Sequence, residues 1–333
     1  MDFDLALIWA GVIGTAVALY VILDGFDLGV GLLFPFAKEE KERDQMINSI
    51  APFWDGNETW LVLGGAGLWV AFPRAYAVIM SALYLPVIVM LLALVFRGVA
   101  FEFRAIALRK RYWNVAFAGG STLAALAQGV ILGGMIQGID VQNGAYAGGA
   151  FDWATPFALL CGLGVAAGYA LLGACWLVMK TDGEVQKRAR RHAKQMLLAV
   201  LGFMSIVSIW TPFAFPAIAE RWFTLPNFFY LSPIPILTAA TALAAWHWLD
   251  KGRELPPFLA AIVLFLLGYF GIVVSMFPYL VPPSLTIWDT AAASSSQRFM
   301  LIGVIVLLPI IIGYFVFVFW IFRGKVREGD SYH

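Results

Sequence analysis

Apolar runs of about 20 residues, the length needed to cross a ~30 Å hydrocarbon layer, recur along almost the whole of this 333-residue chain. Polar connectors separate them. Residues of hydrophobic type make up 61%, charged residues 13%, and the mean hydropathy is +0.82, which excludes an ordinary soluble domain. The pattern predicts an all-α integral membrane protein with nine transmembrane helices over 5–34, 49–72, 75–103, 114–138, 154–179, 195–219, 230–249, 257–281 and 298–322.

Basic residues test that count, because cytoplasmic connectors collect Lys and Arg. Lys38, Lys41 and Arg43 follow the first span; Arg104, Arg109, Lys110 and Arg111 follow the third; Lys180, Lys187, Arg188, Arg190, Arg191 and Lys194 follow the fifth. Lys251 and Arg253 follow the seventh, and Arg323, Lys325 and Arg327 the ninth. Of 22 basic residues only Arg74, Arg97, Arg221 and Arg298 fall elsewhere, so the expected topology places the N-terminus outside, in the periplasm. The net charge of +1 carries no sign of nucleic acid. Met1-Asp2-Phe3-Asp4 has no basic n-region, and the first span exceeds a signal peptide's apolar core, so it is expected to be retained. Cys161 and Cys175 lie about 21 Å apart on one predicted helix and cannot bond to each other.

No soluble domain fits between the spans. The chain 1–333 is expected to be a single integral membrane domain whose longest connector is the Gly-rich stretch Gln137–Trp153, and extramembrane catalysis by it alone is not expected. The small-residue stretches Gly29-Val30-Gly31 and Gly64-Gly65-Ala66-Gly67 suit close helix contact. Aromatic ends such as Trp222-Phe223 and Phe228-Phe229-Tyr230 suit interfacial belts.

Chemistry is sought among groups that are costly to bury. A carboxylate near a helix centre costs about 2.5–3.5 kcal/mol on insertion scales, so each needs a reason. The first span carries Asp24 and Asp27, the second Asp55 and Glu58, each pair at i,i+3 and so on one face. Counting from Lys38 and Asp44, Asp24 and Asp55 lie roughly 21 and 16 Å from the cytoplasmic boundary. The third span adds Arg97, about 10 Å inward of Arg104, and Glu102 near the mouth. Close carboxylates in a low dielectric cannot all ionise, so some must hold a proton near neutral pH while Arg97 keeps others charged. Such a set can take up and pass on protons; it can also simply lock helices, with Asp55 paired to Arg97 and Asp24 or Asp27 bonded to amides beside Gly25 and Gly29.

Haem or metal ligation finds no support in the residues. The histidines are His192 in the most basic connector, His247 near a helix end and His333 at the C-terminus, and the ten Met are scattered as packing residues. Met276-Phe277-Pro278 through Pro282-Pro283 is expected to end the eighth span, and Ser294, Ser295 and Ser296 to cap the ninth.

The stretches "DGFDLGVGLL", "INSIAPFWDGNETWLV", "FRGVAFEFR" and "MFPYLVPPSLTIWDTAAASS" fall in order from the first span to the ninth. Together they resemble subunit II of the cytochrome bd-type quinol oxidases. The resemblance implies two four-helix bundles plus one extra helix in the bacterial inner membrane. It also implies a terminal respiratory oxidase whose haem-bearing subunit I holds haems b and d and oxidises quinol to reduce O2 to water. No haem ligand or metal is then expected in this chain. Some members hold a structural quinone in subunit II, and some carry a small single-helix accessory subunit; no residue here assigns either.

By the same resemblance Asp55 belongs to a cytoplasmic proton pathway, Trp60 lines a lateral O2 route, and Trp288 and Asp289 form a structural motif. Asp24, Asp27, Arg97 and Glu102 fall within matching motifs. Glu58 departs from the uncharged residue of some relatives. Protons for O2 come from the cytoplasm and quinol protons leave outside, so charge separates without pumping. The residues alone also fit an ion-coupled secondary transporter with intramembrane carboxylates, or a scaffold that carries no protons.

Overall fold

The computed structural model describes residues 4–330; Met1, Asp2, Phe3, Ser331, Tyr332 and His333 lie outside them. The helices are α1 (Leu5–Leu33, continued by the 3-10 turn Phe34–Phe36), α2 (Glu40–Ile50), α3 (Trp54–Ala71), α4 (Pro73–Ile106), α5 (Lys110–Gln137), α6 (Pro156–Lys180) and α7 (Gly183–Ala214). They continue as α8 (Pro216–Phe223), α9 (Asn227–Leu231), α10 (Pro233–Asp250), α11 (Leu255–Met276), α12 (Ile287–Thr290) and α13 (Ser294–Ile321). Two small hairpins complete the chain, β1 (Val141–Gln142) with β2 (Ala145–Tyr146) and β3 (Tyr279–Val281) with β4 (Leu285–Thr286), both antiparallel.

Among the described residues eight helices are long and apolar enough to cross a membrane: α1, α4, α5, α6, α7, α10 with α9, α11 and α13. The second expected span is the one that falls short. Its residues divide between α2 and the 18-residue α3, which opens on the polar run Asp55-Gly56-Asn57-Glu58. Three other boundaries move. The basic stretch expected as a connector is the first part of α7, which begins at Gly183 rather than 195 because its charges follow a helical, amphipathic spacing. α11 ends at Met276 and residues 279–281 form a strand, since Pro278 cannot continue the helix. The Ser294–Ser296 run lies inside the first turn of α13, behind an Ala293 cap, and makes no side-chain cap.

α1 packs against α3, α5 and α6, α4 against α5, and α6 against α7 and α11, while α10 joins α7 to α11 and α13 lies against α1 and α3. The core between them is aromatic: Phe26 stacks on Trp176 with centroids 4.1 Å apart, and Phe53 and Phe258 meet Trp176 edge-on. The tightest point is the crossing of α1 and α6. A Cβ on Gly29 would lie 1.8 Å from the Tyr169 carbonyl oxygen, and one on Gly173 would lie 2.3 Å from the Gly29 carbonyl carbon, so the two backbones touch.

The Lys/Arg-rich face is tied together by charge. Arg104 Nη2 donates to Glu40 Oε1 at 2.6 Å, its Nη1 to Asp44 at 2.7 Å and its Nε to Asn114 at 2.6 Å; Arg188 donates to Glu42 at 2.8 Å. The C-terminal segment crosses this face, with Val326 N donating to Lys180 O at 2.8 Å and Lys325 paired to Glu254 at 2.6 Å.

Burial would raise Glu40 and Glu42. Hydrogen bonds from Asn114, Arg43 and Arg104 to the first, and from Arg188 and the Lys38 and Glu39 amides to the second, outweigh it and hold both below the usual glutamate value of 4.5. A depressed folded-state value contributes stability that is fully present above 4.5 and is lost as pH falls through the lower folded value. Thermal unfolding followed against pH is therefore expected to be flat down to about pH 5 and to fall below it, with Glu42→Gln removing part of that slope.

Candidate functional site: a buried carboxylate cluster around Arg97

α1, α3 and α4 converge on one guanidinium. Arg97 Nη1 donates to Asp24 Oδ1 at 2.8 Å and to Glu58 Oε1 at 3.0 Å, and its Nη2 lies 3.8 Å from Asp27 Oδ2. The i,i+3 spacing on α1 puts both aspartates on the face toward α3 and α4, and both are fully buried, as is Arg97. Glu58 has a side chain 30% exposed and is the member that opens outward. Three carboxylates share one cation, which neutralises one of them.

Asn57 completes the cluster. Fully buried between the acids of α3, it donates through Nδ2 to Asp27 Oδ2 at 2.7 Å and to the Leu23 carbonyl at 3.2 Å, tying α3 to α1. Charge spacing did not single it out, because a neutral amide gives no mark in a charge pattern; its place between two acids on a helix was the available signal. Asp24 Oδ2, Asp27 Oδ1, Asn57 Oδ1, Arg97 Nε and Arg97 Nη2 are buried without hydrogen-bond partners, a concentration of polar atoms unlike the rest of the core.

The remaining candidates lie around this group. Asp55 is exposed on the first turn of α3 and stands beyond ion-pair distance of Arg97, so the lock between helices runs through Asp24 and Glu58 instead of an Asp55–Arg97 pair. Glu102 is exposed on α4 and does not join the cluster. Beside them, Trp54 of α3 and Phe101 of α4 stack with centroids 5.0 Å apart. Trp60 is 3% exposed and packs with Ala16 and Tyr20, its ring 5.5 Å from Phe315 of α13. Trp288 donates its Nε1 to Asp4 at 2.7 Å, and Asp289 closes a capping box with Thr286, so this pair fastens the loop before α13 to the start of α1.

A haem needs an axial ligand inside the bundle, and the described histidines do not offer one. His192 packs against the ring of Phe36 at 5.3 Å, and His247 is exposed in the last turn of α10. No group of three His, Cys, Asp or Glu among the described residues has the geometry of a metal site.

Known proteins share this architecture and sequence. The family model for cytochrome bd terminal oxidase subunit II matches residues 5–322. The chain is 30% identical over 380 aligned positions to the cytochrome bd-I ubiquinol oxidase subunit 2 of Escherichia coli (strain K12), covering 99% of this chain and 97% of that protein. It is 29% identical to the cytochrome bd ubiquinol oxidase subunit 2 of Bacillus subtilis (strain 168), over 93% of this chain and 94% of that one. The fold matches a chain of the bd oxidase from Geobacillus thermodenitrificans with a TM-score of 0.78 at 18% identity, covering 96% of this chain and 99% of the other. With a match running from the first helix to the last span, the chain belongs to the cytochrome bd terminal oxidase subunit II family.

Proposed function

We propose that this chain works in the bacterial inner membrane as the second subunit of a quinol:O2 oxidoreductase, with its N-terminus in the periplasm and its spans forming one membrane domain of two four-helix bundles and an extra helix. The partner is a subunit I that carries haems b and d and takes electrons from quinol; a single-helix accessory subunit and a structural quinone belong to the wider family pattern. This subunit supports its partner and conducts protons from the cytoplasm for the four-electron reduction of O2.

The observation that carries the proton role is the fully buried Arg97–Asp24–Asp27 group, open to the outside through Glu58 alone among its carboxyls. Asp55 and Glu102, exposed on the flank toward the basic face, act as collectors. Glu58 relays from them, and Arg97 sets the charge of the group. Trp60, whose buried ring leaves Nε1 without a partner between α3 and α13, lines the O2 route.

Two arms test this. Purification in mild detergent is expected to bring down a haem-bearing subunit with quinol-dependent O2 consumption, whereas a lone polypeptide that moves an ion would mark a transporter. Asp55→Asn is expected to lower turnover by roughly tenfold or more while haem content stays at the wild-type value. Unchanged turnover and proton uptake would leave only a scaffold.

A further inference from the structure

Where α4 turns into α5, the basic side chains divide between two directions. Arg104 and Lys110 turn inward to α2: Arg104 meets Glu40 at 2.6 Å and Asp44 at 2.7 Å, and Lys110 Nζ lies 3.1 Å from Asp44. Asn114, one turn after Lys110 on α5, goes the same way and donates to Glu40 at 3.0 Å. Arg109 and Arg111 do the opposite. Both are exposed, and among the described residues neither guanidinium meets a carboxylate or a carbonyl. Glu102, exposed one turn before Ile106 on α4, pairs with neither, so the corner keeps a positive surplus.

The same corner carries apolar groups that a turn bathed in water would hide. Leu108 is fully exposed, and Ile106 and Tyr112 are 81% and 71% exposed. Phe103 of α4, itself exposed, stacks on Trp113 of α5 with centroids 5.4 Å apart. Aromatic side chains of this kind collect where a span leaves the hydrocarbon. Val115, one turn into α5 from Arg111, and Leu123 beyond it are exposed as well, so the apolar surface runs on into the span. Two unpaired guanidiniums thus stand at the edge of an apolar face, at the level of the aromatic belt and on the Lys/Arg-rich side. A guanidinium forks onto two oxygens of a phosphate, and its weak hydration suits the headgroup layer. A soluble acidic partner would satisfy the charges but leave the apolar face uncovered.

We propose that the α4–α5 corner binds an anionic phospholipid of the inner leaflet, with its phosphate on Arg109 and Arg111 and its acyl chains against Ile106, Leu108 and Val115. The site is separate from the Arg97 cluster and does not depend on the proton route.

The test titrates phosphatidylglycerol into the detergent-solubilised complex with its haem subunit and follows bound lipid by native mass spectrometry. Arg109→Gln and Arg111→Gln are each expected to raise the half-saturating concentration of one site by roughly fivefold, the effect of one basic residue near an anionic surface, and together by more than about tenfold. Leu108→Ser keeps both charges and is expected to raise it by about twofold or more, through the lost apolar contact alone. Lys187→Gln removes a cation of the same face that is paired to Glu184 at 2.8 Å, and is expected to change nothing. Equal lipid occupancy in wild type and the double arginine variant would overturn the proposal. So would an equal loss in Lys187→Gln, which would make the effect one of overall charge. Wild-type affinity in Leu108→Ser, with the lipid displaced by inorganic phosphate, would mean a site for a free anion, and loss of the haem subunit from the double variant would mean a protein interface. Either result overturns it.

Discussion

Gly29→Ala is expected to abolish the assembled protein. The added methyl would lie 1.8 Å from the Tyr169 carbonyl oxygen, and its neighbours there are backbone atoms of α6, which cannot swing aside as a side-chain tip can. The two helices would have to separate by more than about 1 Å along their crossing, forfeiting much of the dispersion contact on both sides. In lipid no hydrophobic force pulls them back, since helix association there depends on that close packing. The cost is expected to exceed about 3 kcal/mol, the upper end of ordinary overpacking. Thermal unfolding of the purified complex and its yield measure it. Gly119→Ala, where nothing lies within 4 Å, is the control expected to behave as wild type.

Arg97→Met is expected to be the most damaging change to the site. It leaves Asp24 and Asp27 fully buried with no cation, and breaking a buried pair in this way costs about 3–5 kcal/mol. Arg97→Lys restores the charge but not the geometry: Nη1 serves Asp24 and Glu58 at once, and an ammonium on a flexible stem does not reproduce that fork. The double variant Arg97→Met/Asp24→Asn is expected to recover part of the stability and none of the turnover. Thermal unfolding and quinol-dependent O2 consumption, measured on the same preparations, separate the two effects. Equal stability of Arg97→Met and wild type would mean that the cluster is not a charge-balanced unit.

How far the sequence disclosed this site follows from what burial costs. Asp24, Asp27, Glu58 and Arg97 stood out because ionised groups are rare in apolar spans, and the i,i+3 spacing placed Asp24 and Asp27 on one face. Asp55 carried the same signal, yet charge spacing cannot tell which turn of a helix faces a neighbour and which faces outward, and Asp55 is exposed. Glu102, expected nearer the mouth, is exposed as well. Asn57 left only its place between two acids as a signal, since an amide is cheap to bury when bonded and looks like any other core residue.

The fold shows the same division. Nine spans were expected from hydropathy, and eight of the described helices are long and apolar enough to cross; the 49–72 span becomes α3, polar at its start, with a defined place given by its contacts with α1. The helical character of the basic run before residue 195 was hidden because a charge-rich amphipathic segment reads as a connector to a scale that scores only apolarity. The α1–α6 crossing was visible only as a small-residue stretch; its partner, Gly173, has no distinguishing sequence of its own.

The most direct test of the central claim is the rate of proton uptake during a single turnover of O2 reduction. A pH indicator would be present on the cytoplasmic side of vesicles carrying the whole complex, with wild type compared to Glu58→Gln and Asp55→Asn. The account predicts that haem reduction proceeds at the wild-type rate in both variants while proton uptake slows by roughly tenfold or more. Proton uptake as fast as wild type in both would contradict it.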